Sequence, residues 1–243
     1  MSTRIAPDRN LTLMHPLRET LNRAADGRFP PVDGAVDVLP PEDDGPCAVV
    51  EFTGHSVVLT DRSREELLAC GADGFGGAST PDVLRRLAGP DGWIGSHDVV
   101  LVARGTGDRS TIGPATDALA DHDRLPEHDG LAELHDLDDH PRVVRSRHHR
   151  RDVRVFGDQA GFVTLGRGLV GRLEISVELL APATHGRGAG RRLIRAGLGL
   201  VPAGSLVWGQ VAPGNAASLR AFLRCGFVPI GAETLILCAR SSG

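Results

Sequence analysis

Residues 182–190 read Pro-Ala-Thr-His-Gly-Arg-Gly-Ala-Gly, and the fold turns on how that stretch is understood. An apolar run with interspersed acids precedes it, Leu173-Glu-Ile-Ser-Val-Glu-Leu-Leu180, and an arginine-rich apolar run follows it, Arg191-Arg-Leu-Ile-Arg-Ala-Gly-Leu198. The order predicts strand, glycine-rich loop, helix. Gly186, Gly188 and Gly190 have no Cβ, so the backbone can turn tightly and approach a ligand closely. The first N–H groups of the helix lack intrahelical partners and attract an anion, for which a phosphate or pyrophosphate is the natural guest. The stretch is not the dinucleotide fingerprint, because the spacing to a third glycine is absent. Nor is it a P-loop, because no Lys-Ser/Thr follows and the chain contains no lysine.

A second block lies downstream. Ser205-Leu-Val-Trp-Gly-Gln-Val211 reads as a strand, and Asn215-Ala-Ala-Ser218-Leu-Arg-Ala-Phe222-Leu-Arg-Cys225 as a helix that ends before Gly226-Phe227. Asn215 is a good N-cap, and Gly226 stands where a glycine stops a helix. With the first block, Leu180-Ala-Pro182-Ala-Thr-His185-Gly-Arg187-Gly188-Ala-Gly190, this order resembles the GNAT N-acyltransferase family. His185 stands where that family usually has Arg or Gln.

The resemblance covers residues 139–243 and implies an α+β fold: a GNAT-type mixed sheet flanked by helices in the C-terminal half, with an additional α+β region before it. The expected division is an N-terminal region over 1–105 and an acyltransferase domain over 106–243. The implied activity is transfer of an acetyl group from acetyl-CoA, a co-substrate, to a small-molecule or protein amine. The resemblance puts the pantetheine arm against the strand near Val177, Leu179 and Leu180, and the pyrophosphate on the N–H groups of Gly186, Arg187, Gly188, Ala189, Gly190 and Arg191, with His185 shaping the loop. Asn215, Ser218 and Phe222 belong to the same cofactor-binding set. Glu174 is the first candidate for general base, with Glu178 second on the same strand parity. The family's general-acid tyrosine falls on Phe222, which has no proton to give; Ser218 and Cys225 stand nearby as alternatives.

At 243 residues, 41% of them hydrophobic, the chain is long enough to bury a sizeable core. No apolar run reaches the ~18 residues of a membrane span, and residues 1–10 carry no signal-peptide segment, so a cytoplasmic protein without membrane contact is expected. Cys47, Cys70, Cys225 and Cys238 are widely spaced and form no CxxC; reduced thiols are expected, with neither a zinc site nor a redox pair. The ten histidines are scattered, and no metal is expected. All basic residues are arginine and tyrosine is absent, a bias that points to a GC-rich bacterial genome. The net charge of −4 gives no overall attraction to nucleic acid. An acidic run at 117–140 and a basic run at 142–154 face each other or form solvated helix surfaces; a nucleic-acid contact ranks last because only Phe156 is near for stacking. Homo-oligomerisation stays open.

Along the first half, the pattern predicts a helix from Pro16, a loop over 29–46, a hairpin over 47–60 turned at Thr53-Gly54, helices over 63–70 and 80–88, and a strand over 98–103. A linker is expected at 105–126. The second half reads as helix 141–150, strands 153–157, 160–165 and 169–180, helix 189–200, strand 205–211, helix 215–225 and strands 227–231 and 234–239. Beside the acyltransferase stands one alternative of another class: a catalytically inactive acyl-CoA-binding module with a regulatory or sensing role.

Overall fold

A computed structural model describes residues 14–42, 45–108, 130–180 and 188–238. The described residues build one ten-stranded mixed sheet with helices on both faces. Helix α1 (Pro16–Ala25) is followed by strands β1 (Val36–Leu39), β2 (Cys47–Phe52) and β3 (His55–Leu59), helices α2 (Arg64–Ala69) and α3 (Pro81–Ala88), and the long strand β4 (Trp93–Arg104). The second half runs β5 (Ala132–Glu133), α4 (Pro141–His149), β6 (Arg151–Asp158), β7 (Gly161–Arg167), β8 (Leu173–Leu179), α5 (Ala189–Gly199), β9 (Leu206–Val211), α6 (Ala216–Arg224) and β10 (Val228–Leu237).

Local chemistry accounts for most of these elements. Pro16, Pro81 and Pro141 each sit in the first turn of a helix, where the missing N–H costs nothing. Ser63 Oγ accepts from Glu66 N at 3.2 Å and Asn215 Oδ1 from Ser218 N at 3.1 Å, so both residues act as N-caps. Gly54, with φ of +70°, makes the tight turn of the β2–β3 hairpin.

The strand order is β1-β3-β2-β10-β4-β9-β8-β7-β6-β5. Strand β4 therefore lies between β9 and β10, antiparallel to both, and β2 pairs with the far edge of β10. Residues before and after position 105 share a single sheet. Three expectations need correction. The C-terminal strands 227–231 and 234–239 are one strand, bent by register shifts at Pro229/Gly231 and Thr234/Ile236, because β4 pairs along nearly its whole length. The proline- and glycine-rich stretch 29–46 contains β1, a short edge strand held parallel to β3. The strand expected over 169–180 starts only at Leu173, after a turn of 3-10 helix at Leu169–Gly171. Of the linker expected at 105–126, residues 109–126 lie outside the described residues.

Register assigns each strand residue to a face. On one face, α5 and α6 cover Leu101, Val163, Ile175 and Val207, while α2 and α3 cover Val49, Val58 and Ile236. On the other, α1 packs Leu17 and Leu21 against Val50, Val100, Val102 and Trp208, and α4 packs Val143 against Phe162 and Val155. Between α1 and α4 that second face is polar. Thr164, Ser176, Glu174, Gln210, Asp98 and Glu233 follow one another across β7, β8, β9, β4 and β10. A polar strip on a sheet interior is costly unless its groups are paired or serve a ligand.

All four cysteines are free thiols. Cys47 and Cys238, 191 positions apart, bring their sulfurs to 2.7 Å, while Cys225 Sγ donates to the Arg191 carbonyl at 3.4 Å. Burial and the neighbouring Cys238 push the Cys47 thiol up to about 12.

Candidate functional site

Strands β8 and β9 run parallel, and their pairing is confined to Glu174 opposite Trp208. Beyond that point they diverge toward their C-terminal ends, leaving the β9-facing edge of residues 175–179 without a strand partner. Helix α5 connects the two strands and runs back against them, so its N-terminus stands at the open end of the gap. An ion pair of 2.5 Å between Arg192, in the first turn of α5, and Asp158, at the hairpin end of β6, fixes it there.

The start of α5 is built for an anion. Gly188 is the N-cap in left-handed conformation, φ +91°, and no side chain caps the helix. Among the described residues, the first-turn N–H groups of Ala189, Gly190 and Arg191 have no capping side chain, which leaves them available to a ligand. Among the described residues, nothing lies within 4 Å of where a Cβ on Gly190 would stand. His185, Gly186 and Arg187 lie outside the described residues. Val177 and Leu179 pack toward the α5 side of the sheet, and Leu180 packs beside α4.

The remaining members of the expected cofactor set have other partners. Asn215 caps α6, its Oδ1 accepting from Ser218 N. Phe222 is buried edge-to-face on Phe227, ring centroids 4.8 Å apart, and fills the space left by the missing side chain of Gly209 on β9. It supplies packing beside the gap and presents no proton.

At the apex of the gap lies a buried ionic cluster. Arg172, 1% exposed, donates from Nε to Glu174 Oε1 at 2.8 Å and from Nη2 to Glu233 Oε1 at 2.5 Å. Arg150, at the C-terminus of α4, donates from Nε to the other Glu174 oxygen at 2.7 Å. Burial pushes the Glu174 carboxyl up, but the guanidiniums of Arg172 and Arg150 outweigh it and hold the group below the ordinary carboxylate range. Both oxygens of Glu174 are thus occupied and its proton affinity is low, which suits an anchor better than a base. Glu178, the second candidate, accepts from Arg142 Nε at 2.8 Å at the rim. Glu233 differs from both. It is 2% exposed, burial raises its carboxyl, Arg172 offsets this only in part, and its Oε2 has no hydrogen-bond partner among the described residues.

The turn that delivers Arg172 and Glu174 is strained. Val170 adopts φ of +47°, rare for a β-branched residue, and is buried under α1, whose Arg18 reaches the Val170 carbonyl. Gly168 closes the turn, and a Cβ there would stand 2.2 Å from the Glu174 carboxylate. Gly168→Ala is expected to destabilise the protein by about 1–3 kcal/mol through overpacking, read as a lowered melting temperature; an unchanged melt would show that the turn yields freely.

These groups border a cavity of about 110 Å³ on the α4 face. Asp98 from β4, Gln210 from β9, and Glu233 and Leu235 from β10 form its floor. Arg142, Arg145, Ser146, His149 and Arg150 of the α4 segment, with Trp93, close it from above. Trp93 and His149 stack with centroids 5.2 Å apart. Burial, then the positive charges of its neighbours, hold the His149 imidazole below its usual range. Arg150 Nη2 donates to Gln210 Oε1 at 3.2 Å, which fixes the amide and leaves Nε2 as an unpartnered buried donor. Asp98 Oδ1 is likewise buried and unpartnered.

Sequence reasoning missed Arg172, Asp98, Gln210 and Glu233. The available signal was a single ionisable residue inside an apolar strand run, Asp98-Val-Val-Leu-Val and Ala232-Glu-Thr-Leu-Ile. The basic stretch 142–154 turns out to be largely matched by acids. Arg147 meets Asp138 and Arg154 meets Glu133, both at 2.7–2.8 Å, besides the pairs of Arg142 and Arg150 above. Of the acidic run 117–140, residues 117–129 lie outside the described residues. Among the described residues no group of three or more His, Cys, Asp or Glu side chains is arranged to hold a metal, and no helix is long and apolar enough to cross a membrane.

No family model matches the sequence, and no curated protein matches it. Solved structures similar to the chain include a protein assigned to the GNAT family of acetyltransferases from Novosphingobium aromaticivorans, with 17% identity over 63% of this chain and 69% of that one, TM-score 0.39. A GCN5-related N-acetyltransferase from Kribbella flavida shares 14% identity, TM-score 0.34; 62% of this chain aligns, spanning 61% of the Kribbella protein, less than two thirds of its length. A conserved protein of unknown function from Staphylococcus epidermidis aligns over 86% of this chain and 95% of its own, with 12% identity and TM-score 0.41.

Proposed function

We propose that the protein is an N-acyltransferase that takes an acyl group, in the first instance acetyl, from a coenzyme A thioester and delivers it to an amine. The carrying observation is the gap between β8 and β9, with the uncapped N-terminus of α5 at its mouth and a polar cavity at its apex. Two features support a pyrophosphate at the mouth: Gly188 is left-handed, and no described residue lies within 4 Å of a Cβ on Gly190. Val177, Leu179 and Leu180 would border the pantetheine arm, and Ala189, Gly190 and Arg191 the phosphates. Coenzyme A would supply an activated acyl carbon and a thiolate leaving group.

The chain's own groups handle the proton and the charge. An attacking amine must lose a proton, and Glu233 Oε2, a buried carboxylate oxygen with no hydrogen-bond partner among the described residues, can take it. Glu174 positions Arg150 and Arg172, and through Arg150 it orients Gln210. Gln210 Nε2 can then donate to an oxygen that gains negative charge, with no reorganisation at the moment of reaction.

Calorimetry with coenzyme A tests the reading. Gly188→Glu is expected to weaken binding at least tenfold by placing a like charge at the pyrophosphate. Absence of wild-type binding at millimolar coenzyme A, in a folded sample, would overturn the proposal. The non-catalytic alternative draws on one observation, the burial of Phe222 where the family's general acid stands. Coenzyme A binding with no thiol released in the presence of any amine would favour that alternative.

A further inference from the structure

Asp98 and Glu233 stand directly opposite each other in the β4–β10 ladder and on the same face. Like charges in that position repel, so the arrangement is unfavourable by itself. The structure offers partial relief on one side only: Arg172 holds Glu233 Oε1. Among the described residues, Asp98 Oδ1 and Glu233 Oε2 are both buried without a partner, and both residues line the cavity. Two buried carboxylate oxygens on one cavity wall lack donors, and a ligand with several N–H donors and a positive charge would satisfy both.

We infer that the Asp98–Glu233 pair is a subsite for the ammonium group of a compact aliphatic amine bearing one positive charge. This deepens the acyltransferase reading by assigning its acceptor. The size limit comes from the cavity, about 110 Å³, roofed by the Trp93–His149 stack and bordered by Leu235. The charge limit comes from the rim, where Arg142 and Arg145 repel a second cation. A long polyamine is thereby disfavoured, and an alkyl chain of a few carbons can rest against Trp93 and Leu235. Half of the subsite belongs to β4, so the segment before residue 105 takes part directly in choosing the acceptor.

The Trp93 indole N–H resonance of the full chain provides a readout that needs no turnover, since Trp93 is one of two tryptophans and borders the cavity. Titration with propylamine should shift it saturably. Propan-1-ol and propionate at equal concentration should not, and 1,4-diaminobutane should bind more weakly than propylamine. Asp98→Asn should weaken propylamine at least tenfold, with the melting temperature and coenzyme A binding retained. Glu233→Gln should do the same; if that buried substitution unfolds the protein, Asp98→Asn alone decides. The subsite is overturned if propylamine gives no saturable shift, if propan-1-ol matches it, or if Asp98→Asn binds like wild type. Amine binding without coenzyme A binding would refute acyl transfer and leave the subsite standing. Coenzyme A binding without amine binding would do the reverse.

Discussion

Arg172→Met is expected to bring the protein close to unfolding at ambient temperature. The guanidinium is buried to 1% exposure and is the partner of two carboxylates, Glu174 and Glu233, each exposed by less than 5%. Removing one member of a buried ion pair costs about 3–5 kcal/mol, because the other charge is left uncompensated. A typical domain has only about 5–15 kcal/mol in total. Chemical denaturation should show the midpoint collapse with little change in slope. Adding Glu174→Gln and Glu233→Gln to Arg172→Met should recover much of the loss, since no net charge then stays buried between these three positions. An Arg172→Met protein that denatures like wild type would show that water reaches the cluster. The two acids answer pH in opposite senses. Glu174, held low, adds stability above its unfolded value of 4.5 that is lost as pH falls through its folded value. Glu233, held high, favours the fold when protonated, and that share is lost as pH rises through its folded value. Acid unfolding should therefore respond more to Glu174→Gln than to Glu233→Gln.

Glu233→Gln is expected to lower turnover by about 10²–10⁴, the range of a lost general base, with coenzyme A affinity nearly intact because Glu233 lies at the apex of the gap rather than at its mouth. The wild-type rate should rise with pH through an apparent value above 4.5, since the carboxylate must be unprotonated to accept. The groups facing Glu233 are Arg172, Glu174 and Asp98, and Asp98→Asn should lower that apparent value by removing a like charge. Steady-state rates with a small amine across pH measure both effects. Turnover unaffected by Glu233→Gln would return the role to Glu174 or Glu178. A loss in Glu174→Gln as well would be accompanied by a lower melting temperature, because that residue anchors two arginines.

Local pattern made most elements legible and left their arrangement hidden. Proline at a helix start, an N-capping Asn215 and the Thr53-Gly54 turn each act within a few residues, so the chain order shows them directly. Strand β1 escaped because four residues among prolines and glycines carry too little periodicity, and only pairing with β3 makes them a strand. The single bent strand β10 looked like two because Pro229 and Gly231 interrupt its pattern, while β4 restores the pairing from 130 residues away. The same distance hid the site. Glu174 was found because it lies near the glycine loop in sequence. Glu233 and Asp98 have no local motif; they acquire meaning only when β4 and β10, far apart in the chain, are laid side by side.

The placement of β4 between β9 and β10 also governs how the protein can come into being. Every partner of β4 is made at least 100 residues after it, so during synthesis a twelve-residue strand waits with both edges bare. Pairings of such long sequence separation carry a large loop-closure cost and fold slowly. The newly made N-terminal half is thus exposed to strand-to-strand aggregation until the ribosome releases the C-terminal strand. Chaperone dependence during expression, and good refolding only from dilute full-length chain, are the behaviour this topology imposes.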